Sequence, residues 1–241
     1  LMESGMYKTH LLPQITRYFS IFTDAGNYGS NMGFTCVLFG ITGLFSKKPG
    51  LKTYYLCVSA LSLYSMFTTG TRGAIVVPLG GLLLFALISK NIRLMSAATV
   101  GGICIYVFFA FTYAGESNYM IRRMRTAFRP NKDASYLVRK QNRQKLAEYL
   151  RDKPFGEGLG LGGVEARRFG NRLTTTIPND STYVKIWTET GIVGIILYLL
   201  IYAGSLLWGC YYIMFKVRND ELRHLLTALA CGVFGMMLSA C

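Results

Sequence analysis

The chain has little of what enzymes use for histidine- or metal-based chemistry. Two histidines occur in its 241 residues, His10 and His224, and neither lies in the long polar stretch 114–182. All six cysteines also lie outside that stretch, so it has no disulfide framework and no metal-ligand spacing. A histidine-based catalytic pair and a cysteine-based metal site are therefore excluded there.

Acidic residues are scarce too: 12 Asp and Glu stand against 26 Lys and Arg, giving a formal net charge of +14. The glycine run 156–163 follows Pro154 and Phe155 rather than a strand and lacks the Gly-Lys-Ser/Thr end of a nucleotide-binding loop. That type of site is excluded. The charge predicts anionic lipid partners, and we expect no nucleic-acid partner.

Long apolar runs set the fold class, and each is close to the roughly 20 residues that a membrane-crossing helix needs. They are 31–45, 51–67, 74–89, 94–113, 186–208 and 222–241. We predict an all-α, polytopic integral membrane protein with about six transmembrane helices. One large helical loop lies between the fourth and fifth.

Charge in the links predicts the topology and the domains. Basic residues cluster in the short links 47–52, 90–93 and 216–223, which the positive-inside rule places in the cytoplasm. The large loop then faces outward. We divide the chain into 1–113 (an outer segment and four transmembrane helices), the loop 114–182, and 183–241 (two more helices). Because it starts at Leu1 and stops within an apolar run, we expect a fragment of a longer protein.

Two basic helices are predicted in the loop. Residues 118–128 form an amphipathic helix with Arg122 and Arg125 on its polar face, suited to an anionic surface. A second helix, capped by Ser135 and running to about residue 151, turns Leu146, Tyr149 and Leu150 inward. It places Arg139 and Arg143 one turn apart on one face. The arginines of these two helices are equally compatible with binding a pyrophosphate-linked lipid carrier and with forming a general lipid-headgroup surface.

Single residues elsewhere carry further hypotheses. Arg72 lies in a glycine-flanked outer turn, where a guanidinium binds phosphate or extends to lipid headgroups. Asp180 precedes the fifth helix as a general base, or else Asp180 or Ser181 caps that helix. Glu189 is an ionisable residue inside the same helix, which itself indicates function.

These residues follow the order of a known pattern. Arg139 on a loop helix precedes Pro154-Phe155-Gly156-Glu157-Gly158-Leu159-Gly160, and Asp180-Ser181 precedes Gly191-Ile192-Val193-Gly194 by nine residues. In this, nearly the whole chain resembles the C-terminal half of the O-antigen ligase and O-antigen polymerase superfamily of bacterial membrane glycosyltransferases. Asp180 departs from the pattern, because ligases have a functional histidine there.

The resemblance implies a multi-pass protein of the bacterial cytoplasmic membrane with its loop in the periplasm. It implies a donor glycan on undecaprenyl pyrophosphate and an acceptor glycan or lipid A core. No cofactor, metal or nucleotide sugar is implied. The predicted catalytic residues are Arg72, Arg139 and Asp180. The predicted substrate-binding residues are Arg122, Arg125, Arg143, Gly156, Gly158, Gly160 and Ser181.

Three functions follow from these observations. The aspartate at the histidine position favours a repeat-unit polymerase over a ligase. A transporter or lipid-flipping protein would use Arg72 and the basic loop as an entry surface, with Pro78 and Gly80-Gly81 as weak signs of a broken helix. A membrane-anchored binding protein is the third alternative. The large loop favours an enzyme.

Overall fold

The computed structural model describes residues 11–12, 15–16, 20–89, 96, 100, 103–104, 107–108, 111–112, 134–179 and 181–240. In these residues the only strands are β1 (Leu11–Leu12) and β2 (Ile15–Thr16), which pair antiparallel, and the fold is otherwise helical. The predicted all-α class is confirmed. The predicted helix 118–128 and most of the run 94–113 lie outside the described residues.

The helices with described bounds follow in chain order: α1 (Ala25–Phe45), α2 (Pro49–Thr68), α3 (Val76–Ser89), α4 (Ala134–Tyr149), α5 (Leu173–Thr176), α6 (Thr182–Phe215) and α7 (Asp220–Ser239). Short 3-10 turns span Arg72–Ile75 and Val164–Phe169. The chain divides into two compact units: residues 1–128 with 209–239, and residues 129–208 with 240–241.

The first unit contains α1, α2, α3 and α7. Asp24 begins α1, because its carboxylate accepts hydrogen bonds from the Gly26 and Asn27 amides at 2.6 and 2.9 Å. The core joins α1, α3 and α7, and its buried members are Val37, Ile41, Phe85, Ala228 and Cys231.

Glycines let these helices approach closely. A Cβ atom on Gly81 of α3 would come within 2.9 Å of the Val37 side chain and 3.1 Å of the Cys231 carbonyl. A Cβ on Gly33 would similarly lie 2.9 Å from Val77. Small residues at helix contacts are typical of membrane proteins, where close packing drives helix association.

Three segments within the described residues are long and apolar enough to cross a membrane: Arg72–Ser89, Thr182–Phe215 and Asp220–Ser239. The protein is thus a helical integral membrane protein. Helices α1 and α2, of 21 and 20 residues, are as long as a crossing. The bounds of α2 lie close to the predicted run 51–67, whereas α1 ends with the predicted run 31–45 but begins earlier, at Ala25. The total of about six crossings stays a prediction.

The second unit holds α4, the turn Val164–Phe169, α5 and the first part of α6. Leu146 of α4, Ile177 and Val184 of α6 form its small core, with Leu173 and Trp187 packed against it. Leu146 and Leu150 are 1% and 5% exposed, which confirms the inward face predicted for this helix. The core anchors the second half of α4 to the start of a membrane-crossing helix.

Candidate functional site: a basic cavity beside the membrane-entry helix

One face of α4, next to its core residues, is cationic and borders a cavity. The cavity has a volume of about 600 Å³ and lies between α4 and α6. We call it the basic cavity, and it is lined by Tyr136, Arg139, Lys140, Arg143, Gln144, Ala147 and Trp187. The six α4 residues follow one another at intervals of three, one, three, one and three, so they share one helix face.

Arg139 and Arg143 therefore border one cavity, and the structure adds a third cation, Lys140, that sequence analysis did not select. Three cations beside an indole ring make a surface for an anion that carries an apolar group. A guanidinium binds phosphate with two parallel hydrogen bonds, whereas an ammonium acts as a point charge. The signal for Lys140 was present in the sequence, since it follows Arg139 and lies three residues before Arg143.

Trp187 is the one lining residue from outside α4. Its half-buried side chain also packs against the core of Leu146, Ile177 and Val184, which holds the indole in place. Sequence analysis treated this residue as part of a transmembrane run. Aromatic residues are enriched where a helix enters a membrane, and that was the available signal.

The glycine-rich loop, residues 156–163, is bound to α6 through its backbone. The Glu157 amide donates to the Thr188 carbonyl and the Gly158 amide to the Glu189 carbonyl, each at 3.0 Å. The Gly156 amide donates to the Lys153 carbonyl at 3.0 Å. The Gly156 and Gly158 amides are thus used within the protein, while Gly160 lies in an exposed part of the loop with open space around its α-carbon. The predicted substrate-binding role of these three glycines stays a prediction.

Helix α6 is broken where this loop docks. Gly191 has φ 68° and ψ −167°, a conformation that is essentially restricted to glycine. In an unbroken helix the Thr188 and Glu189 carbonyls would accept from residues 192 and 193. Here they accept from the loop, and the Val193 amide donates to the Pro154 carbonyl at 3.2 Å. The sequence predicted a continuous helix; the break occurs because the loop supplies the missing hydrogen-bond partners.

Glu157 fixes the loop from its other side. Its side chain is 6% exposed and accepts from Tyr149 at 3.0 Å, from Arg172 at 3.0 Å and from Lys153. The Lys153 hydrogen bond is the main cause that lowers the pKa of the Glu157 carboxyl below its ordinary value of 4.5, against an opposing effect of burial. The same bond raises the pKa of the Lys153 ammonium. Glu157 therefore stays ionised and joins α4, the loop and Arg172.

Polar atoms without partners lie behind the loop. Among the described residues, the buried atoms Thr174 Oγ1, Asn179 Oδ1 and Glu189 Oε1 have no hydrogen-bond partner. A Cβ on Gly162 would lie 3.3 Å from Glu189 Oε1, and one on Gly163 would lie 3.1 Å from Asn179 Cγ. The two adjacent glycines thus allow the loop to cover these polar side chains, including the carboxylate that the sequence analysis noted.

Ser181 begins α6. Its hydroxyl oxygen accepts from the Val184 amide at 3.2 Å, and its carbonyl accepts from the Lys185 amide at 3.1 Å. The cap hypothesis is thus confirmed for Ser181, while its predicted contact with substrate stays a prediction. Asp180, Arg122 and Arg125 lie outside the described residues, so their predicted roles also stay predictions.

Arg72 belongs to the first unit. It opens the turn Arg72–Ile75, directly after Thr71, whose hydroxyl donates to the Ala25 carbonyl at 2.9 Å. Gly70, with φ 60°, turns the chain there. The arginine is half-buried at the start of a segment able to cross a membrane. Its predicted catalytic role stays a prediction.

Comparison with known proteins gives one result. The family model described as O-antigen ligase matches residues 57–199, which include α4, the glycine-rich loop and the broken start of α6. No curated protein and no solved structure matches the chain. The match covers more than half of the chain and contains the basic cavity with the loop that supports it. This chain therefore belongs to the O-antigen ligase family, bacterial inner-membrane proteins that transfer glycans in O-antigen biosynthesis.

Proposed function

We propose that this protein transfers a glycan from undecaprenyl pyrophosphate to a sugar hydroxyl at the periplasmic face of the inner membrane, as a repeat-unit polymerase. The observation that carries the proposal is the basic cavity, where Arg139, Lys140 and Arg143 line one wall beside Trp187 of a membrane-crossing helix. A lipid-linked pyrophosphate has its charge just outside the hydrocarbon, so a cationic cavity beside a membrane-crossing helix suits it.

The three cations of the basic cavity stabilise the leaving group, undecaprenyl pyrophosphate. An acceptor oxygen attacks the anomeric carbon of the donor sugar and forms the new glycosidic bond. The bond from that carbon to the pyrophosphate oxygen breaks, and its electron pair leaves with undecaprenyl pyrophosphate. Cations fixed beside that oxygen stabilise the charge that develops in the transition state. A site partly shielded from water strengthens the attraction.

The acceptor proton needs a base, and we assign this role to Asp180. It directly precedes Ser181, the residue that caps α6, in the part of the chain that enters the membrane. A carboxylate orients a sugar hydroxyl by accepting its hydrogen bond and takes the proton as the new bond forms. The catalytic role predicted for Arg72 is tested separately by its alanine variant.

A ligase that attaches finished glycan to lipid A core is the second candidate. The match to the O-antigen ligase family favours it. The aspartate at the position where the resemblance expects a histidine favours the polymerase. The two differ only in acceptor, so the cavity and its cations serve both.

The test compares glycans of a host that lacks the full-length gene and is complemented with variants. Arg139→Ala and Arg143→Ala should each abolish extension or transfer while the protein remains at normal levels in the membrane. Lys140→Ala should weaken it by about tenfold, as expected for one lost charge contact to phosphate. The matched control is Lys145→Ala, an exposed lysine of α4 outside the cavity.

Gel electrophoresis of these glycans also distinguishes the polymerase from the ligase. A polymerase defect leaves single repeats on the acceptor and removes the long ladder. A ligase defect leaves long chains on the lipid carrier. Full activity in both arginine variants would refute the assignment of the cavity. Equal loss in the Lys145→Ala control would show that the effect is structural.

A further inference from the structure

The glycine-rich loop and the residues just before it expose apolar side chains. Phe155 is 74% exposed and Leu159 is 81% exposed. The other exposed residues of 154–160 are Pro154 and Gly160, so no exposed side chain there has a charge or a hydrogen-bonding group. Glu157, the one charged residue of this stretch, is only 6% exposed and is paired within the second unit. Neighbouring large apolar side chains that stay exposed indicate a contact with another molecule or with a membrane.

The backbone of the loop is bound largely to protein. Besides the amides of residues 156, 157 and 158, the Leu161 amide donates to the Gly158 carbonyl at 3.2 Å. The Gly163 amide donates to the Thr174 carbonyl at 2.8 Å. Irregular backbone pays a desolvation cost beside lipid wherever its polar groups lose water without gaining a partner. These hydrogen bonds keep that cost low for this loop.

The loop docks on α6 where the helix becomes free of charge. Glu189 is the last charged residue before Lys216, and a crossing needs roughly 20 apolar residues, so the hydrocarbon is crossed within 190–215. The loop and Pro154 bond to residues 188, 189 and 193. At about 1.5 Å per residue, these positions lie within roughly 10 Å of the hydrocarbon edge. The loop is therefore at the level of the membrane interface.

We propose that Phe155 and Leu159 insert into the interface of the bilayer that α6 crosses, so that the glycine-rich loop is a second membrane contact beside this helix. The partner is phospholipid, at the boundary between headgroups and acyl chains. Insertion removes the two side chains from water, which favours it. The inference rests on the membrane-crossing helix and on the loop, and it is independent of the basic cavity and of the glycan transferred.

The position of the two side chains supports lipid as the occupant. Phe155 directly follows Pro154, whose carbonyl accepts from the Val193 amide of α6 at 3.2 Å. Leu159 directly follows Gly158, whose amide donates to an α6 carbonyl at 3.0 Å. Both are thus one residue away from a hydrogen bond to the crossing helix. Ile192 of the same helix turn is exposed as well, so the apolar surface continues from the loop onto α6.

The experiment introduces photoreactive benzoylphenylalanine at position 155 or, in a separate variant, at position 159. Each full-length variant is placed in nanodiscs of one defined phospholipid and illuminated, and mass spectrometry of the intact protein measures the fraction that gains one phospholipid. The lipid-facing control is Ile201, 72% exposed within the charge-free part of α6. The control for a side chain in water is Glu148, an exposed residue of α4. Because all four side chains are half or more exposed, we expect the unfolding temperature of each variant to match that of the parent.

The inference requires lipid adducts at both loop positions, with a yield similar to that at Ile201 and several-fold above that at Glu148. A yield no higher than at Glu148, at either position, would overturn it, because that side chain would then face water. Cross-links to another segment of the chain or to a second copy, in place of lipid, would also overturn it. In that case protein, not the bilayer, covers the loop.

Discussion

The Val193 amide donates a hydrogen bond to the Pro154 carbonyl, 3.2 Å away, across the break in α6. Residue 154 lies nearly 40 positions earlier in the chain, directly before the glycine-rich loop. The contact replaces a bond that the helix would otherwise make internally. The entry of a membrane-crossing helix and the support of the basic cavity therefore depend on one another.

Gly191→Ala should unfold this junction. The backbone conformation at φ 68°, ψ −167° costs a residue with a side chain about 1–3 kcal/mol, and the added Cβ would also overlap the Pro154 carbonyl and the Gly156 amide. We expect a lower thermal unfolding temperature in detergent and loss of glycan transfer. Gly204→Ala is the control, since nothing lies within 4 Å of a Cβ there in the same helix. A variant at position 191 as stable as the parent would contradict the described break.

Glu157→Gln should destabilise the second unit. The side chain loses its charge while Lys153 and Arg172 remain beside it, and hydrogen bonds to charged groups contribute about 1.5–3 kcal/mol. We expect a loss of about 2 kcal/mol in unfolding free energy. Glu148→Gln, an exposed glutamate of α4, is the control and should change stability little. Equal stability of the two variants would show that the Glu157 contacts contribute nothing.

Lowering the pH should remove the stabilisation that Glu157 contributes to the folded protein. Its pKa is lowered in the folded protein, chiefly by Lys153, so folding is favoured most when the carboxyl is ionised in both states. That contribution is complete above the ordinary value of 4.5 and is lost as the pH falls through the lower folded value. Unfolding measured from neutral pH to about pH 3 should show the parent and Glu157→Gln converging. A difference in unfolding free energy that stays constant with pH would show that ionisation of Glu157 does not stabilise the fold.

Ser181→Ala should weaken the start of α6 by about 1 kcal/mol, because the Val184 amide loses its partner. Ser181→Asp restores an acceptor and should restore stability. Ser205→Ala, an exposed serine farther along α6, is the control. Thermal unfolding measures how much the Ser181 cap stabilises the protein. Glycan transfer tests the predicted contact of Ser181 with substrate. Normal transfer by a restabilised Ser181→Asp protein would remove Ser181 from the substrate-binding set.

Local patterns predicted the helices well. The periodicity of Leu146 and Leu150 correctly placed the inward face of α4, because one element contains the whole pattern. The spacing of Arg139 and Arg143 correctly put both on one face for the same reason. The Asp24 cap was also predictable, since it involves neighbouring residues.

Other features required the folded chain. The sequence marks Trp187 only as an aromatic residue near the start of a transmembrane run, and it joins the cavity because the core brings α4 against α6. In the sequence, Glu157 is a single carboxylate within a glycine run. Its importance comes from Tyr149, Lys153 and Arg172, of which Arg172 lies 15 residues away.

The sequence by itself determined that this is a helical membrane protein with a basic segment between its crossings, because apolar length and charge density are properties of local stretches. It also determined which residues of α4 share a face. Only the tertiary structure decided that those cations border a cavity that the indole of Trp187 also lines. Only the tertiary structure decided that α6 breaks at Gly191. Both depend on hydrogen bonds and packing between segments distant in the chain, which no local periodicity encodes.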